Sequence, residues 1–241
     1  MGDLPDYTRE MVLKGAAGFT GLEELAARLG SIVPWDVKGN IVLMEDFESE
    51  LTEWNDNSAG GSSTTSRSSR HKFSGDWAVK LYTDNIASAV AQLWRYFQHP
   101  GLVKYGLFAR LAWDWDCQLV GLHTDFTETD KAYDCYVEYD YGAGTLTVIR
   151  GDGGSGVVAT DLYLAADRYI WIPILVTFDL ATGYYDKLYF ADREYDISTF
   201  PLDTSTGGIY PYASITVYTE RNTAGSFTVY VDDIIIAKNV P

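Results

Sequence analysis

Two groups of carboxylates stand out as residues that could do chemistry. The first lies on two aromatic-rich segments, with Asp114 and Asp116 on one and Asp134, Glu138 and Asp140 beside Tyr136 on the other. Strand alternation puts them on one face, away from Leu111, Trp113, Trp115, Tyr133, Val137, Tyr139 and Tyr141. Like charges on facing strands are unfavourable unless water, a cation or a ligand relieves them. That leaves two readings, a solvated sheet face or a sugar or metal site on a concave sheet. The second group is Asp232-Asp233, where Phe227, Val229 and Val231 alternate onto one face and strict alternation carries Asp233 there too. A buried carboxylate needs a partner, and no Lys or Arg falls nearby before Lys238. A cation held with other oxygen ligands is one solution, and a β-bulge that turns the carboxylate out is the other. The three histidines, His71, His99 and His123, have no metal-ligand spacing among them, and neither cysteine has a histidine at a motif spacing.

The elements that must position these residues are strands. From Ile41 the apolar pattern has period two, with strands expected near 41–47, 76–83, 88–97, 103–119, 131–141, 144–150, 169–178, 184–190, 212–219 and 226–237. With no helix between them, they predict an all-β, two-sheet antiparallel jelly-roll sandwich over 41–241. Pairing 103–119 with 131–141 across a polar loop, His123 to Asp130, would bring Cys117 opposite Cys135. Two buried reduced thiols are favoured there over a disulfide, since no secretion signal places the chain in an oxidising compartment. Asn55 to Ser69 is rich in Ser, Gly, Thr and Asn and reads as a mobile loop. Residues 1–40 form a different kind of segment, an extended arm and one short helix. Thr20 is its N-cap, Glu23 the capping-box partner, and Gly30 the stop after Leu22, Leu25, Ala26 and Leu29, which places the helix at 21–29.

Several phrases resemble a known group of sandwiches: Asp46-Phe47-Glu48, then Ser74-Gly75-Asp76-Trp77-Ala78-Val79-Lys80-Leu81, then Tyr230-Val231-Asp232-Asp233-Ile234. This pattern is similar to the concanavalin A-like and carbohydrate-binding-module β-sandwiches. The resemblance implies that the first and last strands lie side by side, with a structural calcium held by Glu48, Asp233 and either Asp46 or the carbonyl of Lys80. Sandwich glycosidases of the laminarinase type resemble the same fold and carry E-x-D-x-x-E or E-x-D-x-E, two glutamates supplying nucleophile and acid. Here Glu138-Tyr-Asp140-Tyr-Gly-Ala-Gly lacks the second glutamate. The expectation is therefore of a chain that is not an enzyme.

Composition narrows the partners. Acidic residues outnumber basic ones 34 to 18, for a formal charge of -16, which disfavours nucleic acid and anionic lipid. No apolar run reaches the roughly 18 residues of a membrane helix. The opening MGDLPDYTREMVLKG has neither a basic nor an apolar leader region, so no secretory signal is expected. A binding module would stack sugar rings on exposed aromatics, with Tyr136, Trp94, Tyr96 and Tyr184 or Tyr185 as candidates and Asp114, Asp116, Glu138 and Asp140 as hydroxyl acceptors. The segment Leu4-Pro5-Asp6-Tyr7-Thr8 with 21–34 and the phrase after Gly39 is similar to phage-encoded virion proteins. That resemblance implies an arm docking on a capsid or neighbouring subunit through Tyr7, Met11, Leu13, Phe19, Leu22, Leu25 and Leu29. The expected function is a structural protein of a phage virion surface, a homo-oligomer with a lectin-like sandwich. A free-standing carbohydrate-binding module is the alternative, and a glycan-active enzyme a more distant one.

Overall fold

The structure, a computed structural model, describes residues 39–98, 101–113, 117–151, 153–164, 170–208, 210–220 and 225–241. The chain divides into two units after Lys38, and Gly39–Pro241 carries the sandwich. The arm and helix expected in 1–38, with Tyr7, Met11, Leu13, Phe19, Leu22, Leu25 and Leu29, lie outside the described residues, as do Asp114 and Asp116.

In chain order the strands are β1 (Asn40–Glu45), β2 (Asn55–Asp56), β3 (Thr64–Ser68), β4 (Ala78–Thr83), β5 (Val90–Phe97), β6 (Lys104–Trp113), β7 (Leu119–Thr127) and β8 (Lys131–Asp140). They continue as β9 (Thr145–Ile149), β10 (Ser155–Ala159), β11 (Ile172–Asp179), β12 (Tyr184–Phe190), β13 (Arg193–Asp196), β14 (Asp203–Thr206), β15 (Tyr212–Glu220) and β16 (Phe227–Lys238). The first sheet runs β13-β12-β11-β6-β16-β4-β3, with β1 on β16. The second runs β10-β9-β8-β7-β15-β5-β2, with β14 on β8. All pairings are antiparallel, and the two sheets build the jelly-roll sandwich expected from the period-two pattern.

Alternation explains the second sheet. In β15 Ala213, Ile215, Val217 and Thr219 are buried while Ser214, Thr216, Tyr218 and Glu220 stay half-exposed, the period of a strand with one wet face. In the first sheet β6 and β16 are buried on both faces and read as nearly continuous apolar runs. Between the sheets, Tyr105, Phe126 and Phe178 form an aromatic centre with ring centroids 4.5 to 5.9 Å apart. Burying aromatics of this size contributes roughly 2–3 kcal/mol each by transfer.

Four expectations need correction. The 103–119 segment is not one strand paired with 131–141: β6 ends at Trp113 in the first sheet, and the neighbour of β8 is β7 in the second. Much of the polar stretch expected as a loop is strand, because His123 and Asp125 occupy the wet face while Leu122, Thr124 and Phe126 point inward. Cys135 therefore faces Thr124, not Cys117, and the two buried cysteines are not joined in a disulfide. Burial pushes the Cys135 thiol far up, which leaves it protonated and unreactive. The Asn55–Ser69 stretch is likewise not a bare loop but supplies the edge strands β2 and β3. The Asp56 carboxylate fixes it by accepting the Ser58 N–H at 2.8 Å and the Thr65 N–H at 3.2 Å.

Candidate functional site

The outer face of the second sheet gathers polar and aromatic side chains in rows that cross the strands. In the middle row Asn55 of β2 pairs with Trp94 of β5, Trp94 with Thr216 of β15, Thr216 with His123 of β7, and His123 with Tyr136 of β8. Neighbouring strands lie about 4.8 Å apart, so Trp94 and His123 are separated by roughly 10 Å. The imidazole of His123 stacks on the Tyr136 ring at 3.7 Å, nearly parallel at 6°. His123 Nε2 lies 2.8 Å from Asp134 Oδ1, which orients the ring. Burial, with the charges of Asp134, Asp125, Asp203 and Glu138 around it, pushes the Tyr136 phenol up to about 12. It is a hydrogen-bond donor at neutral pH.

A second row joins Tyr96, Ser214, Asp125, Asp134 and Asp203 on β5, β15, β7, β8 and β14. The third joins Gln92, Tyr218, Gly121, Glu138 and Thr147. Tyr218 donates its hydroxyl hydrogen bond to Glu138, and its ring lies over Gly121, where a Cβ would stand only 2.4 Å from a ring carbon. Glycine is required there by close approach rather than by backbone conformation.

At the β2–β5 end these rows open into a groove of about 500 Å³. Asn55, Asn57, Gln92, Ser214 and Thr216 supply its amides and hydroxyls. Its aromatic wall is Trp94, Tyr96 and Tyr212, edge to face at 4.9 and 5.4 Å, with Tyr96 58% and Tyr212 37% exposed. Rings left this open are available for stacking.

One buried tyrosine ties this face to the other sheet. The outer edge of β8 pairs with β14 over Lys131–Asp134 and with β9 over Val137–Asp140, which leaves a gap at Tyr136. The Tyr185 hydroxyl, reaching across from β12, fills it. It accepts the Tyr136 N–H at 2.9 Å and shares its proton between the carbonyls of Ile149 at 3.0 Å and Tyr136 at 3.2 Å. Tyr185 is thus a structural post under Tyr136, and the platform role expected for either neighbour falls to neither, Tyr184 lying outside the groove.

Of the expected ligand-binding residues, Tyr136, Glu138 and Asp140 lie on the outer face of β8. Asp140 turns to the β8–β9 connection, where Oδ1 accepts the Ala143 N–H at 2.9 Å. Trp94 and Tyr96 share the groove. His123, Asp125, Asp203, Tyr212 and Tyr218 were not anticipated. The alternation Val120, Leu122, Thr124, Phe126 was the signal that could have found the first two.

The expected calcium donors meet other partners. Glu48 Oε1 accepts the N–H groups of Asp76 at 2.7 Å and Trp77 at 3.0 Å, and Asp46 Oδ1 accepts that of Glu48 at 3.1 Å. β16 does bulge between Asp232 and Ile235, with Asp233 at φ 50°, yet the Asp233 carboxylate stays buried and forms an ion pair with Arg110 of β6. Their side chains are 2% and 6% exposed. The missing cation is therefore a guanidinium, brought in by a neighbouring strand rather than from nearby in sequence. Asp232 accepts the N–H groups of Phe73 at 2.9 Å, Ser74 at 3.1 Å and Asp233 at 2.9 Å. Among the described residues no group of three or more carboxylate, His or Cys side chains converges on a metal position, and Glu48, Asp233 and Asp46 do not fit a calcium cage.

No protein-family model matches the chain, and no curated protein matches it in sequence. Among solved structures it is similar to an endo-β-1,4-glucuronan lyase from the fungus Trichoderma reesei, with TM-score 0.54 and 13% identity over 82% of this chain and 95% of that one. It is similar to the cellulose-induced protein Cip1, with TM-score 0.52 and 14% identity over 81% and 96% of the two chains. A sialidase matches with TM-score 0.53 and 13% identity over 84% of this chain but only 19% of its own, so this chain spans about a fifth of that protein. At such identities the likeness is one of fold. It corrects the expectation of a chain without enzymatic activity, because the same sandwich is the fold of a glucuronan lyase and forms part of a sialidase.

Proposed function

We propose that the outer face of the second sheet binds a linear glycan. Sugar rings stack on Trp94, Tyr96 and Tyr212, and the chain continues along the middle row towards the His123–Tyr136 pair. The observation that carries this reading is the groove itself, which combines the open rings of Tyr96 and Tyr212 and the partly buried ring of Trp94 with amide and hydroxyl groups on rigid strands. Such a lining supplies apolar contact for the faces of a sugar and directional bonds for its hydroxyls. Asp134 and Glu138, oriented by His123 and Tyr218, extend the set of hydroxyl acceptors. Titration calorimetry against a panel of linear polysaccharides tests it. Trp94→Ala should weaken binding at least tenfold with the melting temperature nearly kept; equal binding by the variant would refute the assignment.

A second reading concerns where the face is displayed. The similarity of the first 50 residues to virion proteins favours a sandwich carried on a phage particle surface, held by Tyr7, Met11, Leu13, Phe19, Leu22, Leu25 and Leu29 against a capsid or neighbouring subunit. Light scattering on the full chain and on a chain starting at Gly39 tests it. The reading requires an oligomer that becomes monomeric on truncation.

A further inference from the structure

We infer that this face selects uncharged glycans and excludes uronate chains, an inference that rests on the glycan-binding reading above. The site is the aromatic and amide groove, which Asp56 and Asp125 also line; these and the carboxylates beside it set the charge it tolerates. Asp125, Asp134 and Asp203 stand on three adjacent strands in one register row, and Glu138 lies on the row at the far side of the middle row. Directly opposed side chains on such a row have Cβ atoms about 5 Å apart, so these charges already repel one another. Their partners on this face are uncharged or weakly basic: Thr127 Oγ1 on Asp125 at 2.9 Å, His123 on Asp134 and Tyr218 on Glu138. Among the described residues of β2, β5, β15, β7, β8 and β9, no Lys or Arg alternates onto this face. Arg95, the nearest in sequence to Trp94, turns to the other side of β5, where it pairs with Glu45 at 3.0 Å and with Glu53. Lys131 likewise points inward from β8 and lies over the Tyr133 ring.

A uronate laid along the middle row would bring a carboxylate at each ring to within a strand or two of Asp125 and Asp134. No fixed cation would neutralise it, and a desolvated charge without a partner is costly. The whole-chain charge of -16 adds a repulsive field during approach. A neutral chain of the same linkage carries a hydroxymethyl group at that position, which the carboxylates and amides can accept as a hydrogen-bond donor. The selection therefore acts on one substituent of the sugar ring and leaves the stacking faces untouched.

The test compares β-1,4-linked glucose and glucuronate hexasaccharides, which differ only in that substituent, alongside neutral xylan and β-1,3-glucan hexasaccharides. Calorimetry on the full chain at low and high salt should give at least one neutral ligand bound tenfold or more tightly than the uronate. The gap should narrow severalfold at high salt, where surface charge is screened. It should also narrow in the Asp125→Asn/Asp203→Asn double variant. Uronate binding as tight as or tighter than every neutral ligand overturns the selectivity and leaves the glycan-binding face standing. Binding of no ligand in the panel by a folded protein overturns the face and the selectivity together.

Discussion

Carboxylates cluster on both sheets, and they are treated in opposite ways. On the first sheet Asp233 is buried against the Arg110 guanidinium, and Asp232 is enclosed by three backbone N–H groups. Ser74 Oγ adds a bond to Asp233 at 3.2 Å, and Arg110 also covers the Phe73 ring at 3.9 Å. On the second sheet Asp125, Asp134 and Glu138 remain half-exposed, and their partners are a threonine, a histidine and a tyrosine. The contrast separates architecture from function. Where a carboxylate is buried with a full charge opposite, it pins one segment to another; where it is left accessible beside open aromatic rings, it is available to a ligand.

The largest expected effect comes from breaking the first cluster. Arg110→Ala leaves Asp233 buried without its counter-charge and should cost about 3–5 kcal/mol in denaturant unfolding, whereas Asp134→Asn on the second sheet should cost less than about 1 kcal/mol. Similar losses for the two variants would erase the distinction. Tyr185→Phe probes a link between the sheets that supports the candidate site. It deletes the hydroxyl that stands in for a missing strand at Tyr136 and should cost about 1–2 kcal/mol. A severalfold loss of glycan affinity should accompany it, read by calorimetry beside Tyr184→Phe as the control. A loss of stability without a loss of affinity would make Tyr185 a core residue and nothing more.

A pH slope tests the first cluster from another side. Burial and the adjacent Asp233 charge raise the Asp232 carboxyl to about 8, above its ordinary 3.8. The folded chain thus holds a proton that the unfolded chain has already released, so stability from this group is fully present below the ordinary value and falls as pH rises towards about 8. Thermal melts between pH 4 and 8 should show that decline in the natural chain and a flatter profile in Asp232→Asn. Identical profiles would mean that the three N–H groups hold Asp232 ionised throughout.

The architecture was legible from period-two patterning because half-wet strands such as β8 and β15 write their burial directly into the sequence. Strand pairing was not. β6 and β7 join end to end in sequence through 114–118 yet lie in different sheets, and nothing local distinguishes that crossing from a single long strand. The same gap hid Arg110, whose partner Asp233 is 123 positions away. On the candidate site, Tyr136, Glu138, Trp94 and Tyr96 were found by face and residue type. His123 and Asp125 were missed because polarity alone made their strand look like a turn. The phrase Ser74-Gly75-Asp76-Trp77 turned out to be structural: Gly75 adopts φ 59° where a Cβ would lie 2.0 Å from Glu48 Oε1, and Glu48 caps the next two N–H groups. The recurring phrase marks how this loop is held.

β16 has a consequence for how the molecule comes into being. It is the last strand of the sandwich in sequence, yet it lies in the middle of the first sheet between β6 and β4 and also carries β1, with Asn40 opposite Lys238. Until it is synthesised, the first sheet exists as separate halves with open edges, β3–β4 on one side and β6–β11–β12–β13 on the other. Co-translational folding must therefore wait for residues 227–238, and closing contacts over nearly 200 residues makes a slow, high-contact-order route. During that wait the unpaired edges of β4 and β6 are the surfaces a chaperone would have to protect.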